Sequence, residues 1–419
     1  ANTLLVIAQE ARDADADAKF RALDRLAHGA FRGVLQTVHT LQTGEVAGKS
    51  SNENYAVRQV FTQLVEHEQI DPYQVMVTVA DADSSFDTVF LEQLEAEFCR
   101  TPDGRHTLYD SPINTYRNLK SCHLLVQAFE IDRSHYCTFV EPYQQVKPCQ
   151  SNYSLTLGFA HEINFWDADN TSEDMHTTLK ALAHTNFAAN AVVPVWSLIL
   201  NDSVTTLTDR WIQAKRHMWG IEEVAWILSL YPNLRFRVWA RMLGFCGMQM
   251  LTKSTIPWWF IWLFPQARAL LYLLQPSTLR LIFAILAATQ MFANAQHLAR
   301  ELLLRHLVLA RRADARTVQP LTYARAALLA VTFPLLVPLA RFVFSTLATW
   351  RMLWHAVFHT QLKYVTAPKQ FDAEATNCRD AMQHKLLQCL PRPMSPIANG
   401  IVDQNEGRAR QHQHETISA

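Results

Sequence analysis

Between Trp239 and Phe358 the chain carries two acidic residues, Glu301 and Asp314, while Leu, Ala, Phe and Trp dominate. A stretch this poor in carboxylates folds where water is excluded over a long distance, in a bilayer or a layer of buried helices. Three segments approach membrane-spanning length: Ile256 to Gln275, Leu279 to Gln296 and Ala326 to Trp350. Arg268, Gln290 and Arg341 interrupt them, so buried or interfacial amphipathic helices stand as the alternative to spans. Trp258, Trp259 and Trp262 cluster as an interfacial belt does. Arg300, Arg305, Arg311, Arg312, Arg316 and Arg325 lie between the second and third segments and predict a cytoplasmic-side loop.

The first half has a different grammar. "NTLLVIAQ" (Asn2 to Gln9) reads as a buried strand, and opening on it without a lead-in predicts further sequence upstream. Asp13 to Ala30 has helical spacing with Phe20, Leu23, Leu26 and Ala27 on one face; Asp13, Asp15 and Asp17 favour its N-terminal dipole. A strand at Val34 to Val38, a helix with Val57, Val60, Phe61, Leu64 and Val65, a strand at Val75 to Val79, and a helix with Phe90, Leu91, Leu94 and Phe98 follow. Strands alternating with helices predict an α/β fold with a mostly parallel sheet and ligands at the strands' carboxyl ends. At 419 residues the chain exceeds a single core. Zero formal net charge argues against nucleic acid as the main partner. Seven cysteines without a C-x-x-C pair predict reduced thiols in a cytosol-facing protein.

Four motifs carry chemistry. Asp81 and Asp83 follow the third strand directly, where hard carboxylate oxygens suit Mg²⁺ or Mn²⁺ completed by substrate phosphates; a solvated turn is the ordinary alternative. "GEVAGKSSN" (Gly44 to Asn52) places Lys49 before a helix, ready for phosphate or merely solvated, with a spacing that is not a Walker loop. "TSEDMHTTLKAL" (Thr171 to Leu182) opens a helix with Glu173 and Asp174, as capping acids or as a base for an attacking hydroxyl. "RWIQAKRHMWG" (Arg210 to Gly220) is suited to clamp a diphosphate and stack a sugar, or to lie on a membrane surface.

In order, a G-K-x-x-N loop, D-x-D after a strand, E-D opening a helix, and Q-x-x-R before hydrophobic helices resemble the membrane-bound family-2 glycosyltransferases, among them the cellulose, chitin and hyaluronan synthases. The resemblance covers about Leu4 to Lys369, and "GKSSN", "DAD", "SNYSLTL", "EDMHTTLK" and "QAKRHMWG" recur in this order in glycosyltransferase-2-like members. It implies a GT-A type (Rossmann-like) catalytic domain over residues 1–235, a membrane-associated helical region over 236–369, and a disordered polar tail over 370–419. It further implies inverting transfer from a nucleotide-diphospho-sugar, a UDP-sugar foremost, to a glycan or lipid acceptor at a membrane, with the catalytic domain cytosolic. By position, Asp81 and Asp83 would hold the diphosphate through Mg²⁺ or Mn²⁺, and Lys49 and Asn52 would sit by the nucleotide. Asp174 would be the general base with Glu173 beside it, and Gln213 and Arg216 would bind acceptor and diphosphate. "KYVTAPK" (Lys363 to Lys369) looks like a gating loop, placing Tyr364, Thr366 and Lys369 over the nucleotide; this requires Ala326 to Phe358 to fold as a hairpin near Pro334 and Pro338.

Two departures stand out. His217 occupies the place of the family's sugar-stacking tryptophan, with Trp219 two residues on. The family's first strand would lie upstream of Ala1, making the strand at Leu4 its second, with Glu10 as the acid that contacts the nucleobase. A catalytically inactive membrane partner that retains the fold is the second reading: the two departures favour it, and intact Asp81, Asp83 and Asp174 oppose it. A soluble nucleotidyltransferase lacks its Gly-rich loop after the opening strand.

Overall fold

The structure, a computed structural model, describes residues 2–114, 117–139, 148–186, 191–220, 223, 226, 229, 276–311 and 322–358. Strand β1 (Leu4–Glu10) pairs in parallel with β2 (Gly33–His39), joined by helix α1 (Ala16–Ala27). Helix α2 (Lys49–Phe61) runs into a wide helical turn at Thr62–His67 and is followed by β3 (Met76–Thr78), β4 (Ser85–Phe86) and α3 (Phe90–Arg100). Then come β5 (Leu108–Asp110), β6 (Ile113–Asn114), α4 (Leu124–Phe139), β7 (Tyr153–Thr156), α5 (Leu157–Glu162), α6 (Glu173–His184), β8 (Val192–Pro194), β9 (Ile199–Leu200) and α7 (Leu207–His217). Each helix and strand expected in the first hundred residues is present within a few positions. The acids at 13–17 behave as a helix entry: Asp13 accepts from the Asp15 amide and from Lys19.

The expectation of a mostly parallel sheet is corrected. The central sheet runs β3-β7-β5-β8, with β7 antiparallel to both neighbours and β5 parallel to β8. A second small sheet, β4-β9-β6, is likewise mixed. β7 inserts between β3 and β5 from the opposite direction after the excursion through α4, and no βαβ crossover constrains it to be parallel.

Side chains alternate across this sheet, as a strand period of two requires. Val77, Leu108 and Val192 face a core with Val57 and Val60 of α2, Leu155 and Trp166. Met76, Tyr109 and Val193 face the opposite core with Phe90 and Leu94 of α3 and Ile199. Both faces are therefore covered, and the open edges of chemistry are the carboxyl ends of β1, β2 and β3.

A second layer is helical. Helices α8 (Pro276–Arg311), α9 (Tyr323–Arg341) and α10 (Ala348–Phe358) pack with α4 and α7. Ile131 and Ala128 of α4 meet Leu298 of α8 and Leu329, Phe333 and Val337 of α9 in one cluster. The expected hairpin is absent: from Tyr323 to Phe358 the chain stays helical, α9 passing through Pro334 and Pro338 and joining α10 by a π-helical segment at Phe342–Leu347. The prolines are four apart and free carbonyls along one side of the helix, while buried Phe333 and Val337 anchor the intervening turn on α4. Arg341, expected to interrupt a span, is satisfied by Asp132 of α4 at 2.8 and 2.5 Å. Arg325, expected in a basic loop, instead bonds Gln127 at 3.0 Å and the Cys122 carbonyl at 3.3 Å. Among the described residues one helix, Tyr323–Met352, is long and apolar enough to cross a bilayer, with mean hydropathy 2.1. A core helix of its composition would be mostly covered, yet 28% of its apolar window is buried, and Val331 and Leu335 are exposed. Ile256 to Gln275, the tryptophan belt and the tail fall outside the described residues. Among the described cysteines, Cys122, Cys137 and Cys149 are buried and Cys99 is exposed.

The two faces of α9 predict opposite mutational responses. Phe333→Ala, at a fully buried site, should cost about 3–5 kcal/mol, whereas Leu335→Ala on the uncovered face should change stability by less than about 0.5 kcal/mol. Thermal unfolding of the two purified variants in detergent measures the difference, and equal losses would place α9 the wrong way round.

Candidate active site

Lys49 begins α2 at the carboxyl edge of the sheet and carries its ammonium inward. There Nζ lies 2.9 Å from Asp81 Oδ1, 2.8 Å from Glu173 Oε1, 3.5 Å from Glu53 Oε1 and 2.5 Å from the Ser151 carbonyl. Burial by itself would lower the ammonium's pKa; the fields of Glu173, Glu53 and Asp81 outweigh it and hold the group well above the ordinary lysine value. Three elements distant in sequence thus converge on one charge: the start of α2, the end of β3 and the start of α6. The spacing of Glu53, one helical turn after Lys49, was the available signal for a residue that motif reading missed. Its carboxyl is pushed well above the usual range, chiefly by burial, with Glu173 and Asp81 adding repulsion, and its Oε2 has no hydrogen-bond partner among the described residues.

The turn after β3 is held from below by Asn152, at the head of β7. Its Oδ1 accepts from the Asp81 amide at 2.8 Å and from Ser84 Oγ at 2.9 Å. Asp81 and Asp83 then diverge. Asp81 faces Lys49, while buried Asp83 accepts from the Asp202 amide at 3.2 Å and its carbonyl accepts from Arg117 at 2.7 Å. Arg117 also lies 3.4 Å from Asp202. Among the described residues no group of three or more His, Cys, Asp and Glu side chains is arranged to hold a metal by itself. Two hard carboxylates fit Mg²⁺ or Mn²⁺ of the kind bound by one or two protein ligands plus substrate phosphates, so the donor chemistry is compatible with the expected ion.

At the start of α6, Asn170 accepts from the Ser172 amide at 2.6 Å and fixes the entry. Glu173 turns to Lys49; Asp174 accepts from its neighbour's amide, Met175, at 2.7 Å. Burial first, and the Glu173 carboxylate second, push the Asp174 carboxyl up to about 7. A carboxylate this basic is matched to accepting a proton from a hydroxyl near neutral pH.

Beyond the ends of β1 and β2 lie two adjoining hollows. One, of about 460 Å³, is lined by Glu10, Arg12, Asp13 and Asn52. Asn52 Nδ2 approaches Glu10 Oε1 at 3.4 Å, and Glu10 pairs with Arg12. The other, of about 410 Å³, is lined by His39, Tyr55 and Arg58, with the His39 and Tyr55 rings stacked at 5.1 Å.

The structure separates the remaining candidates. Gln213 on α7 accepts from Arg210 at 2.5 Å, inside the helical layer rather than at Lys49. Arg216 is half-buried on the same helix, and His217 is exposed at its end. Trp219 lies edge-on to His355 of α10, with ring centres 5.8 Å apart, so it does not take the sugar-stacking place of the residue two before it. The chain after α7 nevertheless returns to the site: a Cβ placed on Gly220 would stand 3.6 Å from Met175, the neighbour of Asp174. Tyr364, Thr366 and Lys369 lie outside the described residues.

A search of curated proteins found no match. The family model described as glycosyl transferase family group 2 matches residues 76–366, from β3 through the hydrophobic helices and well over half of the chain. The chain belongs to the family-2 glycosyltransferases.

Proposed function

We propose that the chain is a metal-dependent, inverting transferase that moves a sugar from a nucleotide-diphospho-sugar, a UDP-sugar foremost, to the hydroxyl of a glycan or lipid acceptor at a membrane, with its catalytic domain in the cytosol. Family-2 glycosyltransferases use nucleotide-sugar donors and separate acceptors. The observation that carries the finer reading is the convergence of Asp81 and Glu173 on Lys49 at 2.9 and 2.8 Å, which joins the D-x-D turn to the helix that bears Asp174.

In this reading Asp174 accepts the proton as the acceptor oxygen attacks the sugar's anomeric carbon and the bond to the diphosphate breaks. Its raised pKa makes it basic enough for the task at neutral pH. Lys49 supplies positive charge near the departing diphosphate. Asp81 and Asp83 would hold Mg²⁺ or Mn²⁺, which when bound neutralises charge on the diphosphate. Glu10 and Asn52 line the hollow beyond β1, which would receive the nucleoside. Arg216 would bind acceptor and diphosphate, and Thr366 and Lys369 would belong to the loop that covers the nucleotide, while Gln213 is engaged by Arg210. The uncovered apolar face of Tyr323–Met352 supports a lipid environment. The exposed His217 and the engagement of Trp219 with His355 favour single transfers over processive polymerisation.

Three outcomes test the assignment. Asp174→Asn should lower the transfer kcat by about 10²–10⁴-fold while nucleotide-diphosphate affinity, read by calorimetry, stays within about twofold. Wild-type kcat should fall as pH drops through about 7, because the protonated carboxyl no longer accepts a proton. Asp83→Ala and Asp81→Asn should instead weaken Mn²⁺-dependent nucleotide-diphosphate binding by at least about tenfold. Equal loss of binding in all three variants would mean that the roles are misassigned.

A further inference from the structure

His176 sits in the first turn of α6, three residues after Glu173, and is buried. A cation there opposes the helix dipole, so a histidine charged at this point needs compensation. It has it on both sides: Nε2 is 2.5 Å from Asp167 Oδ2 and Nδ1 is 2.6 Å from Glu223 Oε2. Asn170 Nδ2 also lies 2.8 Å from Nδ1, and the doubly protonated imidazolium is the form that gives each of the two carboxylates an N–H. The indole of Trp226 covers the ring, with centres 4.2 Å apart.

The partners tie the site together. Asp167 also takes Lys180 Nζ at 2.9 Å, and its backbone carbonyl accepts from Ser50 Oγ at 2.7 Å, beside Lys49. The Val46 amide donates to the Ala168 carbonyl at 2.8 Å, so the lysine loop rests on the 167–168 segment. On the other side Asn170 donates to Glu223 at 2.7 Å while accepting from the Ser172 amide at the entry of α6. With Lys49 on Glu173, the contacts close into a ring running from Ser50 through Asp167, His176 and α6 back to Lys49.

We propose that His176 is a positioning residue for sugar transfer: clamped between Asp167 and Glu223, it fixes the Glu173–Asp174 turn against the loop that carries Lys49, and links both to the chain that follows α7. This rests on Asp174 as the proton acceptor. The two carboxylates overcome the effect of burial and lift the imidazole's pKa to about 9. The sign is that of a raised histidine: the clamp is complete at neutral pH and is lost as pH rises through about 9. The charged groups around the ring's partners are Asp167, Glu223 and Lys180.

The test uses the full chain in detergent with a nucleotide-sugar donor and Mn²⁺. His176→Gln should lower kcat by at least about tenfold while leaving donor KM and nucleotide-diphosphate stoichiometry within about twofold, as expected when a reacting group is misplaced rather than unbound. Wild-type kcat should also fall at the alkaline side near pH 9; Glu223→Gln, which keeps the ring but removes one carboxylate, should move this limb to lower pH, and His176→Gln should abolish it. Unchanged kcat in His176→Gln, or an unmoved limb in Glu223→Gln, overturns the proposal. NMR of ¹³C-labelled histidine, assigned with His176→Gln, reads the clamp without turnover: titration near 9 supports it, and titration at the ordinary value of about 6.5 overturns it. Absence of any transfer by the wild type would overturn the transferase reading instead, and the NMR result would still decide the clamp.

Discussion

The ammonium of Lys49 is set among three carboxylates that would otherwise repel one another at the carboxyl edge of the sheet. Asp81 and Glu173 arrive there from elements more than ninety residues apart, and Lys49 stands at the head of a third. Ion pairs at about 3 Å are strong where water is excluded, and leaving any of these charges alone would cost several kcal/mol. The placement of β3, α2 and α6 therefore follows from a charge balance as much as from apolar packing. The balance is incomplete: one lysine faces Asp81, Glu173 and Glu53, with Asp174 adjacent. A site with surplus negative charge raises its own carboxyl pKa values and favours the approach of a further cation.

The helical layer is built on the same device with different residues. α4 presents Glu130 to Arg210 of α7 at 2.9 Å and Asp132 to Arg341 of α9, all of them buried or nearly so. The Arg210 guanidinium also stacks on Phe129 at 4.4 Å. Helix α4, which lies in the first half of the sequence, thus belongs physically with the hydrophobic helices, and it couples the α7 motif to them. Gln213, held by Arg210, is part of this coupling.

Much of this was legible in the residues. Strand and helix positions up to Arg100 followed from periodicity, because each element buries one well-defined face. The lysine loop and Asp81 were both expected at strand ends, which share one edge in α/β folds, whereas the arrival of Glu173 at Lys49 is seen only in the structure. What remained hidden depended on contacts that a linear pattern does not encode. The antiparallel entry of β7 depends on the path of the chain through α4 and not on the composition of β7. Pro334 and Pro338 looked like a reversal; packing of Phe333 and Val337 on α4 keeps the helix running. The motifs gave Glu53 and His176 no role, and their importance comes from partners at positions 49, 167 and 223.

The choice of cation differs between the two layers in a way that matches their tasks. Arginine stays charged at any accessible pH and offers a rigid fork, so Arg210–Glu130 and Arg341–Asp132 are suited to permanent joints between helices. Lysine is a point charge on a flexible stem, able to pass from one oxygen to another without a fixed geometry. Lys49 has several such oxygens within 3.5 Å, on Asp81, Glu173, Glu53 and Ser151. On the proposed reading, a donor diphosphate near Asp81 would change the charge at one of these contacts while the others persist, and the ammonium could follow it without the surrounding elements separating. Histidine at 176 is the intermediate case, permanent at neutral pH yet releasable at high pH. Arginine thus holds the joints of the helical layer, lysine gathers the carboxylates at the edge of the sheet, and histidine ties α6 to Asp167 and Glu223.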